Sequence, residues 1–327
     1  MTTRREFITL LGATAVSWPV TAGAQQRPMP VVGYLSNLTP DGDKDFARAV
    51  RQGLAETGYV EGRNVAMEFR PANEENARLP ALAADLVRRQ VAVIIGAGVS
   101  ASLAAKAATT TIPIVFNMGV DPVERGFVAS LNRPGGNLTG VSNLNVRLEP
   151  KRLELLHEVI PKASRIALLV NPTNPLAATI SKDVEAAAST LRLELEIVQA
   201  STAGDIDETF AALAQKGAGG LVIGNDGLFI SRREQLGALS QRYALPTIFH
   251  FREFVAAGGL ISYGGSLADS YRIVGLYAGR ILKGEKPADM PVQQSTKVDM
   301  IVNLKTAKKL GLTFPLTLLG RADEVIE

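Results

Sequence analysis

No cysteine occurs among the 327 residues. Disulfides, thiolate-held metals and a lipid-modified cysteine are therefore excluded. Histidine occurs twice, as His157 and His250, far apart in the chain, so a histidine-ligated metal is not expected. The single tryptophan is Trp18, and aromatics make up 6% of the chain. Sugar sites built from stacked aromatics have little to draw on. No Lys/Arg cluster is present, which argues against nucleic acid as a partner. The most apolar N-terminal run, Ile8 to Val20, spans 13 residues and is broken by Gly12 and Pro19. A membrane-spanning helix needs roughly 20.

That run belongs to a three-part pattern. Thr3-Arg4-Arg5-Glu6-Phe7-Ile8 is a twin-arginine sequence, the apolar stretch follows, and Ala22-Gly23-Ala24 is a small-residue cleavage site. Positive n-region, short h-region and A-x-A read as an export signal removed after Ala24, by the Tat or the Sec route. Its removal takes away Arg4, Arg5 and Glu6, so 35 basic and 32 acidic residues become 33 and 31, a net charge of +2. With neither lipid anchor nor second apolar span, the expectation is a freely diffusing monomer in a periplasm.

About 300 mature residues favour two domains, because single cores stop growing near 250–300 residues. The patterning agrees. Val31–Ser36, Val65–Phe69, Val91–Ile95, Ile114–Phe116 and Leu138–Ser142 read as strands. Helices at Asp43–Thr57, Asn76–Arg89 and Ser100–Ala108 alternate with them, with apolar residues at helical spacing. The plan then restarts. Strands are expected at Arg165–Val170, Leu193–Val198, Leu221–Ile223, Thr247–Phe249 and Leu260–Tyr263. Strands alternating with helices predict parallel sheets, here two Rossmann-like α/β lobes. The tail holds a helix, Leu267–Lys283, and a strand-like Met300–Asn303, too little for a third core. The expected division is residues 28–141 plus 266–292 for lobe one and 145–263 plus 299–327 for lobe two. Chain crossings near 141–145, 264–266 and 292–297 would then form a multi-crossover hinge, with 267–283 packed on lobe one.

In open α/β sheets, ligands bind beyond the carboxyl ends of the strands. In lobe one those ends supply Ser36, Asn37, the Gly98-Val99-Ser100-Ala101 loop, Met118, Asp121 and Pro122. In lobe two they supply Asn171, Asn225, Asp226, Phe249 and Tyr263. Most are small, polar and uncharged, suited to hydrogen-bonding a small solute. The Gly96–Ser102 loop opens a helix whose free N–H groups favour a carboxylate or phosphate; it is also readable as a glycine turn with Ser100 as an ordinary N-cap. Asp121 and Asp226 suit a ligand ammonium or a helix cap. Phe249 and Tyr263 would supply an apolar wall, and Phe116 core. No dinucleotide fingerprint exists, since a third glycine and a distal acid are missing. Gly98-Val99-Ser100-Ala101-Ser102 approaches a nucleophile elbow but lacks its closing glycine; of the two possible bases, His157 falls on an expected helix away from any strand end, and His250 ends a strand but has no matching acid in the usual order. Asp41-Gly42-Asp43-Lys44-Asp45 opens like a calcium loop, but Phe46 and Gln52 occupy the positions that need glycine and glutamate. It reads as a helix start. No cofactor and no metal are expected.

Several segments carry a resemblance. Gly58-Tyr59-Val60-Glu61-Gly62-Arg63-Asn64-Val65 is one, and Asp121-Pro122-Val123 through Asn132-Arg133-Pro134-Gly135-Gly136-Asn137-Leu138-Thr139-Gly140 another. Lys151-Arg152-Leu153-Glu154-Leu155-Leu156, Gly258-Gly259-Leu260-Ile261-Ser262-Tyr263-Gly264 and Asn303–Leu312 continue it. Over essentially the whole mature chain it resembles the ABC transporter substrate-binding proteins of tryptophan/tyrosine type, with the type I periplasmic binding protein fold. The lipoprotein cysteine of many members is absent. The resemblance implies an extracytoplasmic component of an ABC importer, not an enzyme. It would hold a small solute between lobes and deliver it to a permease with a cytoplasmic ATPase. The residues add that the solute carries a carboxylate on an aromatic or apolar body, an amino acid among the options. A sensory protein presenting its solute to a receptor, and a serine hydrolase, are the alternatives.

Overall fold

The computed structural model describes residues 28–295 and 297–327; the export signal lies outside the described residues. Val31–Ser36 forms β1 and Pro40–Glu56 forms α1, followed by β2 (Ala66–Pro71), α2 (Leu79–Arg88), β3 (Val93–Ala97), α3 (Val99–Ala108), β4 (Ile114–Met118) and β5 (Leu138–Ser142). The second run is α4 (Glu149–Val159), β6 (Arg165–Val170), α5 (Ala177–Leu191), β7 (Glu194–Gln199), α6 (Ala203–Gln215) and β8 (Gly220–Ile223). It continues through α7 (Gly227–Ser231), α8 (Arg233–Arg242), β9 (Thr247–Phe249), α9 (Arg252–Ala256) and β10 (Ile261–Gly264). The tail gives α10 (Leu267–Leu282), β11 (Gln293–Gln294), β12 (Asp299–Asn303), α11 (Leu304–Lys309), α12 (Leu316–Leu319) and β13 (Glu324–Ile326).

The strands make two sheets, in the orders β11-β5-β4-β3-β1-β2 and β13-β12-β10-β9-β8-β6-β7. Every named pairing is parallel except β10 with β12, which runs antiparallel. That exception departs from the all-parallel expectation. The chain re-enters the second sheet from the hinge side through β12, with no crossover helix to reverse it. The first sheet also runs past the expected lobe edges at 141 and 292: β5 ends at Ser142, and Gln293–Gln294 pair with it.

Alternate residues of each central strand feed opposite faces, as the period of two requires. Val93 and Ile95 pack with Phe46, Val50 and Leu54 of α1 and Val274 of α10. Ile94 packs on the other face with Leu86 of α2 and with Ala101 and Ala105 of α3. The second sheet repeats the layering. Leu168 and Val170 meet Leu156 of α4 and Val184 of α5, and Leu169 and Ile223 meet Phe210 of α6 and Phe254 of α9.

Helix α10 docks on α1 at very short range. A Cβ on Gly53 would stand 1.9 Å from the Arg272 carbonyl oxygen, and one on Gly275 2.1 Å from that of Val50. Only glycine permits this approach, and it brings Tyr271 onto Phe46 with ring centroids 4.6 Å apart. Tyr271 thereby reaches the carboxyl end of the first sheet.

Three chain crossings between the sheets run side by side after β5, after β10 and after β11. The Asn145 side-chain carbonyl accepts from the Gly265 N–H at 3.0 Å, and Ser295 donates its N–H to the Ser142 carbonyl at 2.9 Å. Arg152 and Glu149, both fully buried, form an ion pair beneath them at 3.2 Å. Arg152 also donates to the Tyr263 carbonyl at 2.9 Å and to the Asn145 carbonyl. Two crossings thus hang on one guanidinium. Burial pushes the Glu149 carboxyl up, opposed by Arg152 and by the Asn225 N–H.

Candidate solute-binding cleft

Both sheets direct their carboxyl ends at one interlobe cleft. In the first sheet the order reverses between β1 and β3, and in the second between β6 and β8. Such switch points are where open α/β sheets bind ligands. The lobes touch across the mouth. Arg232 and Glu74 form a two-pronged pair, Nε to Oε1 at 2.9 Å and Nη2 to Oε2 at 2.8 Å. Arg125 donates to the Thr179 hydroxyl at 3.1 Å. The cleft is partly open to solvent and holds a cavity of about 70 Å³, less than half of the roughly 150 Å³ that holds benzene in an engineered core.

On the first-lobe side the cleft is lined by Asn37, Gly98, Val99, Ser100, Asn117 and Met118. Helix α3 begins at Val99, with Gly98 as its N-cap at φ +90°, and no side chain caps it. Ser100 therefore sits within the first turn and is not the cap expected from the sequence. The first-turn N–H groups, unsatisfied within the helix, open on the cleft with the positive end of the helix dipole. Tyr271 closes this side.

On the second-lobe side stand Asn174, Leu176, Asn225, Asp226, Ile230 and His250. Asp226 caps α7 by accepting from the Leu228 N–H at 2.8 Å. It also accepts from Asn171 at 2.9 Å and from Asn174 at 2.8 Å. Burial pushes its carboxyl up, while those donors pull it down. It is the only ionisable carboxylate among the lining residues, and no lysine or arginine lines the cleft. His250 is buried, and neither ring nitrogen has a hydrogen-bond partner. Burial, and then Arg152, push its pKa down, so the ring is neutral at physiological pH.

Seven of the residues singled out from the sequence meet here: Asn37, Gly98, Val99, Ser100, Met118, Asn225 and Asp226. The other seven lie outside the lining. The Ser36 hydroxyl accepts from the Leu38 N–H at 2.9 Å. Ala101 is buried within α3. Asp121 caps its own turn, accepting from the Val123 N–H at 2.8 Å beside Pro122. Asn171 supports Asp226 from behind. Phe249 is core, edge-on to Phe251 and Phe254, and the Tyr263 carbonyl serves Arg152.

Residues 34–326 match the family model described as ABC transporter substrate binding protein. The chain belongs to that family. Among curated relatives, a tyrosine-binding protein of Clostridioides difficile is 28% identical over 275 residues, 82% of this chain and 76% of that one. Among solved structures, a conserved domain protein of Vibrio cholerae matches with a TM-score of 0.82 at 25% identity, over 91% of this chain and 99% of that one. An ABC domain of Streptococcus pneumonia in complex with L-Trp matches at 0.78 and 24% identity, over 90% of this chain and the whole of that one. The two-lobed fold of this substrate-binding protein is also shared with solved periplasmic binding proteins. Among the described residues, no helix is long and apolar enough to cross a membrane.

Of the lining residues that matter chemically, Asn117, Asn174 and His250 stand at strand ends legible in the sequence but were not chosen as ligand contacts, and Tyr271 was not in view. His250 also ends a strand, and its polar ring after an apolar Thr247–Phe249 run was the available signal. Tyr271 comes from a distant helix, and the pairing of Gly53 with Gly275 that brings it in has no local signature.

Proposed function

We propose that this substrate-binding protein captures a small carboxylate-bearing solute with an aromatic body, an aromatic amino acid, between its lobes. It hands that solute to an ABC permease driven by a cytoplasmic ATPase. The observation that carries the reading is the uncapped start of α3, open to the cleft across from Asp226 with no cationic side chain lining it. A helix start and one carboxylate suit a zwitterion: free amides and dipole for its carboxylate, Asp226 for its ammonium. Asp226 lines the cleft and Asp121 does not, so the ammonium role falls to Asp226. Leu38, Met118, Val146, Leu176 and Tyr271 offer the body an apolar wall. The tyrosine and tryptophan named for relatives point the same way.

The protein works outside the cytoplasm, in this reading, delivered there through the Tat or the Sec route by a signal removed after Ala24. Closure over the solute is driven by contacts made only in the closed form. Isothermal calorimetry of the mature protein against amino acids, aromatic acids and sugars tests the assignment. Binding of an aromatic amino acid supports it. Tight sugar binding with no response to any carboxylate would falsify the solute class.

A further inference from the structure

His250 is the one lining side chain whose polar atoms are both buried and unpaired. Its residue is 1% exposed, and neither Nδ1 nor Nε2 has a partner. Its backbone follows β9, and its ring is held by Phe249, edge-on at 4.4 Å, and by Phe251 at 5.1 Å. The ring therefore has a set orientation. Orphaned buried polar atoms are rare and costly, and in a binding cleft the natural partner is the ligand. Strand order locates it. β9 neighbours β10, from which the chain crosses at the hinge, whereas α3 follows β3, two strands in from β5 and its crossing. His250 thus lies on the hinge side of the cleft, away from the α3 start. A solute whose carboxylate sits at α3 would extend its body toward His250.

We propose that His250 sets solute specificity by hydrogen-bonding a polar atom on the solute's ring, selecting a phenolic hydroxyl or an indole N–H over a plain hydrocarbon ring. The inference rests on the aromatic amino-acid reading above and adds what that reading leaves open, the choice among aromatic rings. A neutral imidazole carries one donor and one acceptor. It can therefore serve either a hydroxyl or an N–H. Burial, and then the nearby Arg152, hold it neutral, which keeps its acceptor available. A phenyl ring would leave both nitrogens unpaired on closure. The discrimination expected from one such unmade bond is about 5- to 150-fold in affinity.

The test is calorimetry with L-tyrosine, L-tryptophan and L-phenylalanine on the mature protein, its His250→Leu variant and its His250→Gln variant. The expected result is at least about fivefold weaker binding of phenylalanine by the wild type. His250→Leu should bring tyrosine and phenylalanine within about twofold of each other, and His250→Gln, which keeps a donor and an acceptor, should retain part of the preference. If His250→Leu does not fold, ¹⁵N-histidine NMR on the His157→Gln protein, where His250 is the sole histidine, replaces it. The ring nitrogens should then shift with tyrosine and stay in place with phenylalanine. Equal affinity for tyrosine and phenylalanine in the wild type, or a preference that survives His250→Leu, overturns this inference alone. Failure of all three amino acids to bind overturns it together with the reading beneath it.

Discussion

Asp43 sits in the first turn of α1, where an acid is favoured by the helix dipole and ordinarily solvated. Here it is buried, and the Tyr34 hydroxyl donates to it at 3.0 Å. Burial raises its pKa from 3.8 to about 7, against the opposing pull of the Ser36 and Tyr34 hydroxyls. Between those two values the folded chain holds a proton that the unfolded chain has lost. Folding stability is therefore fullest below pH 3.8 and falls as pH rises to about 7. Each pH unit of that interval is worth ~1.4 kcal/mol, so the whole interval is worth about 4 kcal/mol. Asp43→Asn keeps the acceptor for Tyr34 and removes the titration. Urea unfolding of wild type and variant should show the variant gaining about 3 kcal/mol relative to wild type between pH 5 and pH 8, with no further gain above. Subtracting the two curves cancels the surface carboxylates common to both. A stability difference that is flat with pH would refute the reasoning, because it would mean that Asp43 is ionised in the fold at little cost. The residue also touches function, since Tyr271 lines the cleft beside it and its hydroxyl feels the Asp43 charge.

Gly275→Ala drives a Cβ to 2.1 Å from the Val50 carbonyl oxygen and should cost about 3 kcal/mol in thermal unfolding, whereas Gly136→Ala, with nothing within 4 Å, should cost well under ~1 kcal/mol. Arg152→Met strands the buried Glu149 carboxylate and should cost about 3–5 kcal/mol in urea unfolding, with the Glu149→Gln/Arg152→Met double variant recovering much of it. Arg232→Ala removes the two-pronged pair to Glu74 that joins the lobes and should weaken solute binding by at most about fivefold, with the effect shrinking at high salt, because the pair is partly exposed.

The alternation of strand and helix was legible because buried parallel strands are written as short, wholly apolar runs such as Val91–Ile95 and Ile166–Val170. The antiparallel entry of β12 was not, since pairing direction depends on where the chain re-enters the sheet. The short α7 and β13 carry too few residues for a period to show. At the cleft, residues on strand ends within a few positions of an apolar run could be found from the sequence, as with Asn37 and Asn225. Side-chain direction could not. Asp121 and Asp226 look alike in sequence and each caps the turn that follows it, yet only Asp226 lies in the lining of the cleft. Asp43 read as an acid favoured at a helix start, and only the packing of Tyr34 over it reveals its burial. Residues delivered by the distant α10 were out of reach, because the Gly53–Gly275 approach joins segments more than 200 positions apart.

The most direct test of the account is a crystal structure of the mature protein grown with L-tyrosine. The account predicts the solute between the lobes, its carboxylate within hydrogen-bonding distance of the Val99 and Ser100 amides and its ammonium on Asp226. Tyrosine bound outside the cleft, or lying in it with its carboxylate turned away from the start of α3, would contradict it.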